Sequence, residues 1–356
     1  MSTLIKPPRA ALARSAYLAA CRGETPQHTP VWFQRQAGRS LPEYRALREG
    51  KTFDEMTSDP ALAAEVTMQP VRRHGVDAAI FFSDIITSVA GLCGGISIEP
   101  NRGPVIDTPF RTMADVERLR GFDPKVHIPF VLEAVQRCVR ELDPMGVPLI
   151  GFAGAPFTVA TYLIEGGKSK EFENTKLLMR TEPETWFALL DALAEIAAAT
   201  LRAQVGAGAS AVQLFDSWAG ILSKATYQDF AMSSSAKVFA GLQDLGVPQA
   251  HFGVGTGELL GLFREAGADV VGVDFRVALA DARERVGPLV PLQGNLDPAL
   301  TLCGVDVAIA ATDAVLVDAQ RAGGSHIFNL GHGVLPQTNP TVLTAIVDHV
   351  HERTAH

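Results

Sequence analysis

The residues of this 356-residue sequence best suited to chemistry follow short apolar runs. Arg35 and Arg39 flank the segment Gln-Ala-Gly, so one small loop presents two guanidinium groups and several backbone N–H groups. A guanidinium binds a carboxylate through two parallel hydrogen bonds, and main-chain N–H groups bind further oxygen atoms. The loop is therefore suited to bind an anionic organic ligand. The spacing fits equally well a surface turn whose arginines pair with Glu43 and Glu49. Other polar candidates follow later runs: Asp84, Tyr162, Asp216, Ser217, Asp274, Asn295, Asp297 and His332.

Eight apolar runs predict the elements that position these residues. Each run is too short for a helix and is apolar on both faces, as strands of a buried parallel sheet are. With helical stretches between them, they predict a single-domain (β/α)8 TIM barrel over 26–356, after an N-terminal arm over 1–25. The first three connections are long and are expected to carry extra loops or helices; an open, doubly wound sheet is the alternative fold. The predicted strands are 31–36, 78–84, 148–154, 211–217, 249–255, 269–275, 289–295 and 325–331.

Composition argues against several classes of partner. Lys+Arg 31 against Asp+Glu 39 gives a net charge of −8, which disfavours nucleic acid and anionic membrane surfaces. No uncharged run approaches the roughly 18 residues of a membrane-spanning helix. Four scattered cysteines indicate reduced thiols in the cytoplasm. The basic arm contains Pro7 and Pro8 and leads directly into a helical pattern, so we expect an ordinary arm rather than a transit peptide.

Several cofactor-dependent mechanisms lack the residues that they need. No lysine ends a predicted strand, as Schiff-base chemistry would require, and no cysteine does so as a nucleophile. The glycines at 253–257 have the wrong spacing for a dinucleotide and are read as a turn. The one His-x-His pair, His349 and His351, is expected on the solvated surface. The sequence therefore predicts neither a cofactor nor a metal.

Six segments taken together resemble the uroporphyrinogen decarboxylase family. They are PVWFQRQAGRSLPEYR (30–45), DAAIFFSDI (77–85), PLIGFAGAPFTVATYLIEGG (148–167), LFDSWAG (214–220), LQGNLDP (292–298) and NLGHGVLP (329–336). They occur in the family's order and span nearly the whole chain. One departure is Gln34, which stands where the family usually has an apolar residue, commonly Met. Strand alternation would place Gln34 on the face opposite Arg35, so we expect it to affect loop packing only.

The resemblance implies an activity and a set of roles. The family removes the four acetate carboxyls of uroporphyrinogen III without a cofactor, giving coproporphyrinogen III and CO₂ in haem biosynthesis. Asp84 would accept hydrogen bonds from the pyrrole N–H groups and offset a cationic intermediate, and Arg35 is a candidate proton source. The family also implies a homodimer whose clefts face each other. The substrate-binding residues implied are Arg35, Gln36, Ala37, Gly38, Arg39, Asp84, Tyr162, Ser217 and His332, while Phe152 and Phe215 line the cleft or the barrel core.

Two other functions remain as alternatives. A corrinoid-linked methyltransferase shares this barrel but binds zinc through His-x-Cys on a middle strand and a further Cys near the last one. Here His251 is followed by Phe252 and Gly253, and the segment NLGHG has no cysteine. A non-catalytic tetrapyrrole-binding protein would need the carboxylate-binding arginines but not Asp84.

Overall fold

A parallel sheet forms the centre of the computed structural model, which describes residues 9–99, 103–167 and 169–356. The strands are β1 (Ala79–Ile80), β2 (Ile96–Glu99), β3 (Gly103–Ile106), β4 (Leu149–Gly154), β5 (Ala211–Phe215), β6 (Gln249–Phe252), β7 (Val270–Gly272), β8 (Leu292–Leu296) and β9 (His326–Leu330). Seven of them form one sheet in the order β1-β4-β5-β6-β7-β8-β9, in which every neighbouring pair is parallel. β2 and β3 form a separate antiparallel hairpin. The fold is therefore α/β and TIM-barrel-like.

A single residue joins the two edges of this sheet. Val31 forms an isolated parallel bridge with Phe328 of β9. On its other side, the backbone N–H of Asp77 donates to the carbonyl of Val31 over 2.8 Å. The predicted strand 31–36 is therefore wrong in extent, because only its first residue is bridged. The chain turns soon afterwards, at Arg35, whose φ of 58° is left-handed rather than extended.

Each of the other seven predicted strands overlaps a strand of the sheet; six of these strands lie within the predicted bounds, and β8 ends one residue beyond them. The largest difference is at 78–84, where only Ala79 and Ile80 are paired. Phe81 and Phe82, which follow them, are buried but lie outside the strand, and Ser83 and Asp84 are partly exposed. An apolar run indicates that a segment is buried on both faces, but it does not show whether the backbone is paired in a sheet. The run at 148–154 is predicted best, since β4 covers all but its first residue and is buried throughout.

Seventeen α-helices lie in the described residues. They are α1 (Ala16–Cys21), α2 (Pro42–Arg48), α3 (Phe53–Ser58), α4 (Pro60–His74), α5 (Thr87–Leu92), α6 (Met113–Val116), α7 (Pro124–His127), α8 (Pro129–Leu142), α9 (Pro156–Glu165), α10 (Glu173–Thr181), α11 (Pro183–Ala207), α12 (Lys224–Phe230), α13 (Met232–Ala240), α14 (Leu260–Glu265), α15 (Leu279–Val286), α16 (Val305–Ala322) and α17 (Pro340–Thr354). Between β1 and β4 lie the hairpin and α5 to α8, whereas α14 alone joins β6 to β7 among the described α-helices. No described helix is long and apolar enough to cross a membrane.

The described part of the predicted arm, 9–25, packs onto the rest of the chain. Its helix α1 is capped by Ser15, whose Oγ accepts from the backbone N–H of Leu18 over 3.3 Å. Tyr17 and Cys21 are almost completely buried, in a cluster that includes residues of the sheet. The first eight residues of the arm lie outside the described residues.

A buried polar chain crosses the inside of the sheet. The indole Nε1 of Trp32 donates to Oε1 of Gln293 in β8 over 3.0 Å. The amide Nε2 of Gln293 then donates to Oε1 of Gln213 in β5 over 2.9 Å. Because a buried donor without an acceptor costs about 1–3 kcal/mol, this chain fixes the relative position of three segments.

Candidate active site

Gln36 braces the arginine loop (35–39) from the inside. Its buried side chain accepts through Oε1 from the backbone N–H of Phe33 over 2.9 Å and donates through Nε2 to the carbonyl of Ala78 over 3.1 Å. Its backbone N–H donates to the carbonyl of Phe33 over 3.0 Å. Gln36 therefore attaches the loop to the chain just before β1. The backbone N–H predicted to bind a ligand is already used within the loop.

The two arginines of this loop are exposed. Within the described part of the chain, neither Arg35 nor Arg39 forms an ion pair. The alternative prediction that they pair with Glu43 or Glu49 is wrong: Glu43 instead binds Arg73, with Nε to Oε1 at 2.6 Å. Two cations held on one short turn without acidic partners form a site that a carboxylate can enter.

Backbone donors and a glycine complete the loop. The N–H groups of Ala37 and Gly38 have no acceptor among the described residues, so they remain open to a ligand. Gly333, after β9, packs against the aliphatic part of Arg35. A Cβ at position 333 would overlap Cδ of Arg35 and lie 2.8 Å from its Cγ. Glycine is therefore required there for the arginine to keep its position.

Gln34 is buried, whereas Arg35 is exposed. Gln34 is tied to the end of β9, because its backbone N–H donates to Oδ1 of Asn329 over 3.0 Å and its carbonyl accepts from Val334 over 2.8 Å. The two side chains do point differently, but a turn separates them rather than the predicted strand alternation.

Asp84 follows β1, near the carboxyl ends of the strands. Its Oδ1 accepts from the backbone N–H of Ile86 over 3.0 Å, and its own N–H donates to Oγ1 of Thr87 over 3.2 Å. These bonds orient the carboxylate at the start of α5. Burial raises the pKa of Asp84, while the N–H of Ile86 and the positive charge of Arg35 oppose the rise.

Electrostatic interactions place Tyr162 and His332 beside the same groups. Burial raises the pKa of the Tyr162 phenol; the negative charge of Asp84 adds to this rise and the charge of Arg35 opposes it. Burial lowers the pKa of His332, and the positive charges of Arg35 and Arg276 lower it further. The structure thus brings four predicted residues into one neighbourhood: Arg35 of the arginine loop, Asp84 after β1, Tyr162 of α9 and His332 after β9.

The backbone N–H of the next residue orients the ring of His332. Its Nδ1 accepts from the N–H of Gly333 over 2.5 Å. This bond assigns the proton of the neutral ring to Nε2, which leaves Nε2–H as a donor to a ligand.

Ser217 sits in a loop that a buried carboxylate organises. Oγ1 of Thr158 donates to Oδ1 of Asp216 over 2.7 Å and accepts from the N–H of Trp218 over 3.1 Å. Ser217 lies between these two anchored residues, is half-buried, and has no hydrogen bond to its hydroxyl within the described residues. The indole of Trp218 in turn packs edge-on against Tyr162, with ring centroids 5.7 Å apart.

Three aromatic rings from β4, β5 and β6 contact one another. Phe152 meets Phe215 edge-on at 5.4 Å, and Phe215 meets Phe252 at 6.2 Å. Phe152 and Phe252 are buried in the sheet, and only Phe215 is partly exposed.

Arg276 is a candidate that the sequence reasoning missed. Its Nη1 binds Oδ2 of buried Asp274 at 2.8 Å, while about half of its side chain stays exposed. Its charge reaches His332, which places it at the same end of the sheet. The signal was present in DVVGVDFR, where this arginine follows the strand-end aspartate by two residues.

His349 and His351 do not lie free on the surface, and that prediction is wrong. Nε2 of His349 lies 2.9 Å from Oδ1 of Asp313, and Nε2 of His351 lies 2.7 Å from Oδ2 of Asp77. Both rings are half-buried. Helix α17 brings them to these acids, which are distant in sequence. His351, Asp77 and His28 are the one group of three possible metal ligands in the described residues.

The fold and this site define an α/β barrel-like protein with an arginine loop that can bind carboxylates beside a partly buried aspartate. A sequence profile of the family described as Uroporphyrinogen decarboxylase (URO-D) matches residues 12–353. The chain belongs to the uroporphyrinogen decarboxylase family.

Individual relatives agree with this assignment. A Streptomyces coelicolor protein named uroporphyrinogen decarboxylase is 55% identical over 347 residues, covering 98% of this chain and 97% of its own. One of the same name from Nocardioides is 56% identical, covering 95% and 97%. A solved methyltransferase from Methanosarcina mazei superposes with a TM-score of 0.78 at 22% identity, covering 96% of this chain and 98% of its own. At that identity the likeness concerns the fold alone.

Proposed function

We propose that this protein is a uroporphyrinogen decarboxylase. It removes the four acetate carboxyls of uroporphyrinogen III to give coproporphyrinogen III and CO₂ in haem and porphyrin biosynthesis, using neither cofactor nor metal. One observation carries the proposal: the arginine loop holds two arginines with no ion pair in the described residues, and the charge of one of them, Arg35, reaches the partly buried carboxyl group of Asp84. Family membership then selects the substrate.

The substrate itself supplies the electron sink. A proton adds to a ring carbon of the pyrrole that carries the acetate, and the ring becomes cationic. The bond between the acetate CH₂ and its carboxylate then breaks, CO₂ leaves, and the electron pair neutralises the ring. A second proton then converts the exocyclic methylene to methyl, and the proton first added to the ring carbon leaves, which restores the pyrrole, so one proton is consumed for each CO₂ released. The protein must stabilise the transient cation and orient the carboxylates, which is electrostatic preorganisation.

Asp84 stabilises the cation in this proposal. A carboxylate can accept about four hydrogen bonds, so oxygen lone pairs remain for pyrrole N–H groups beyond the bond from Ile86. Partial burial strengthens its attraction to a positive ring, because the effective dielectric constant is lower there than in water. The nearby charge of Arg35 favours the ionised form that this role requires.

The remaining predicted residues hold the substrate's carboxylates. Arg35 and Arg39 bind acetate and propionate groups in the proposal, with the open N–H groups of Ala37 and Gly38 assisting. Arg35 is also the candidate proton source, since its charge reaches Asp84 and its side chain is exposed. Three further donors complete the set: Tyr162, Ser217 and His332.

The proposal extends to architecture and assembly. We take the chain to be a single-domain (β/α)8 barrel in which Val31 occupies the position of the first strand, with extra helices in the first connections and an arm over 1–25. A cytoplasmic homodimer with facing clefts follows from the family resemblance. Light scattering on the purified protein tests the dimer.

Anaerobic incubation with uroporphyrinogen III tests the function directly. We expect products with seven to four carboxyl groups, resolved by chromatography after oxidation, and release of CO₂. Tight binding without CO₂ would instead identify a tetrapyrrole carrier. Activity lost on chelation and restored by zinc would favour the methyltransferase alternative.

A further inference from the structure

Three side chains that can bind a metal ion, those of His28, Asp77 and His351, lie close together at the amino ends of the strands. Nε2 of His28 lies 2.7 Å from Oδ1 of Asp77, and Nε2 of His351 lies 2.7 Å from Oδ2 of the same carboxylate. The centroids of the two imidazole rings are 4.1 Å apart. One ligand atom from each residue falls within 4.8 Å of the others. Three groups from distant parts of the sequence therefore point to one small volume.

The location separates this cluster from the proposed active site. His28 precedes Val31, and Asp77 precedes β1, so both stand at the amino ends of strands. Helices run back antiparallel to the strands in such a fold, and His351 lies near the end of α17, at the same face. Asp84 follows β1 and the turn at Arg35 follows Val31, so these two residues stand beyond the carboxyl ends of the same strand positions.

The protein backbone holds the carboxylate in place. The N–H of Val31 donates to Oδ2 of Asp77 over 2.7 Å, and the N–H of Asp77 donates to the carbonyl of Val31 over 2.8 Å. Further bonds join the flanking chain segments, from the N–H of Thr29 to Oγ1 of Thr354 over 2.8 Å and from His356 to the carbonyl of Gln27 over 3.1 Å. Backbone hydrogen bonds therefore fix the position of the cluster, which does not depend on a chance contact between mobile surface side chains.

We propose that His28, Asp77 and His351 bind a divalent transition-metal cation, with Zn²⁺ as the first choice. Two imidazole nitrogens and one carboxylate oxygen suit borderline cations such as Zn²⁺, Co²⁺ and Ni²⁺ better than Mg²⁺ or Ca²⁺, which prefer oxygen. The side chains are 25%, 13% and 27% exposed, respectively, so solvent reaches the cluster and can supply a fourth ligand.

Binding requires only small local changes. Tetrahedral coordination at about 2.0–2.1 Å separates ligand atoms by roughly 3.3 Å. The nitrogen that contacts the liganding oxygen at 2.7 Å must therefore move away by about half an ångström, and the other ring, which contacts the second oxygen, must turn towards the metal. The proton now on each Nε2 moves to Nδ1 or to solvent when the metal takes its place. The ion would then join the segment before the first strand position to the C-terminal helix. Such a site stabilises the folded chain and takes no part in decarboxylation.

The test is metal titration of tag-free protein that has been dialysed against a chelator. We expect calorimetry to show one Zn²⁺ per chain and Co²⁺ to give the visible absorption of a site with nitrogen ligands. His351→Gln keeps an N–H donor for Asp77 but removes the imidazole, so it should weaken Zn²⁺ binding about tenfold or more while remaining folded. Zn²⁺ should raise the Tm of the wild type and not that of this variant.

The matched control is His349→Ala. It removes an imidazole from the same helix, two residues away, which also pairs with an acid. We expect wild-type affinity and the same Tm increase with Zn²⁺. Equal Zn²⁺ affinity in the wild type and His351→Gln, or no stoichiometric binding by the wild type, would overturn the metal site. Decarboxylase activity is measured separately and should not depend on Zn²⁺, so this test and that of the proposed function fail independently.

Discussion

Gly333→Ala should disable the enzyme by displacing Arg35, although residue 333 has no side chain to bind substrate. The added Cβ would overlap Cδ of Arg35 and lie 2.8 Å from Cγ and 3.1 Å from Nε. Arg35 has no ion pair in the described residues to oppose its movement, so the arginine moves and the backbone stays. Relieving the overlap needs a displacement of about 1 Å, and an error of that size in a positioned catalytic group costs up to about 10²-fold.

We therefore expect kcat/KM of Gly333→Ala to fall about 10- to 100-fold, which corresponds to about 1.4–2.7 kcal/mol of transition-state stabilisation. The Tm should change little, because a flexible side chain absorbs the overlap. The control is Gly206→Ala on α11, where a Cβ would have open space around it.

A double-mutant cycle with Arg35→Ala tests the physical cause. If the alanine at 333 acts through the arginine, it should have little further effect once Arg35 is removed. Equal losses in the wild-type and Arg35→Ala backgrounds would refute the reasoning, as would unchanged kcat/KM in the single variant.

Three further outcomes are expected. Arg39→Ala should raise KM by an amount equivalent to about 2–4 kcal/mol, and Arg39→Lys should recover part of this loss. The control Arg48→Ala on α2 should leave KM unchanged. An unchanged KM in both Arg39 variants would show that this arginine does not bind substrate. Burial lowers the pKa of His74 to about 4, so the folded state loses stability as the pH falls from about 6.5 towards 4 and is unaffected by this group above that range. In urea unfolding, the free energy of unfolding of His74→Asn should therefore fall less at acid pH than that of the wild type, by up to about 3 kcal/mol. Identical pH dependence of the two proteins would contradict this. Exhaustive chelation should leave decarboxylation unchanged, and loss of turnover restored by zinc would oppose the proposed chemistry.

The sequence predicted the strands best where pairing and burial coincide. The run containing β4 is apolar, paired on both sides and completely buried, so its bounds differ by one residue. At 31–36 the same apolar signal is misleading. Only Val31 finds a ladder partner, and the buried amide of Gln36 then holds a turn that composition does not reveal.

The sequence indicated which residues form the candidate site but not which contacts those residues make. Strand-end positions indicated Asp84, Tyr162 and His332, because parallel strands bring their carboxyl ends together. The pairing of Glu43 with Arg73, which leaves the loop arginines without that acid, depends on how α2 packs on α4. Likewise, His351 meets Asp77 across 274 residues of sequence, which local pattern could not show.

Asp84→Ala, compared for rate and for binding, tests the central claim most directly. Substrate and product are neutral at the pyrrole core, whereas the protonated intermediate is cationic, so a carboxylate there stabilises the intermediate selectively. We predict that the single-turnover rate of decarboxylation falls about 10²–10³-fold or more. Affinity for coproporphyrinogen should change far less, and Asp84→Glu should retain intermediate activity. Equal loss of rate and product affinity in Asp84→Ala would contradict the account, because the aspartate would then only position the macrocycle.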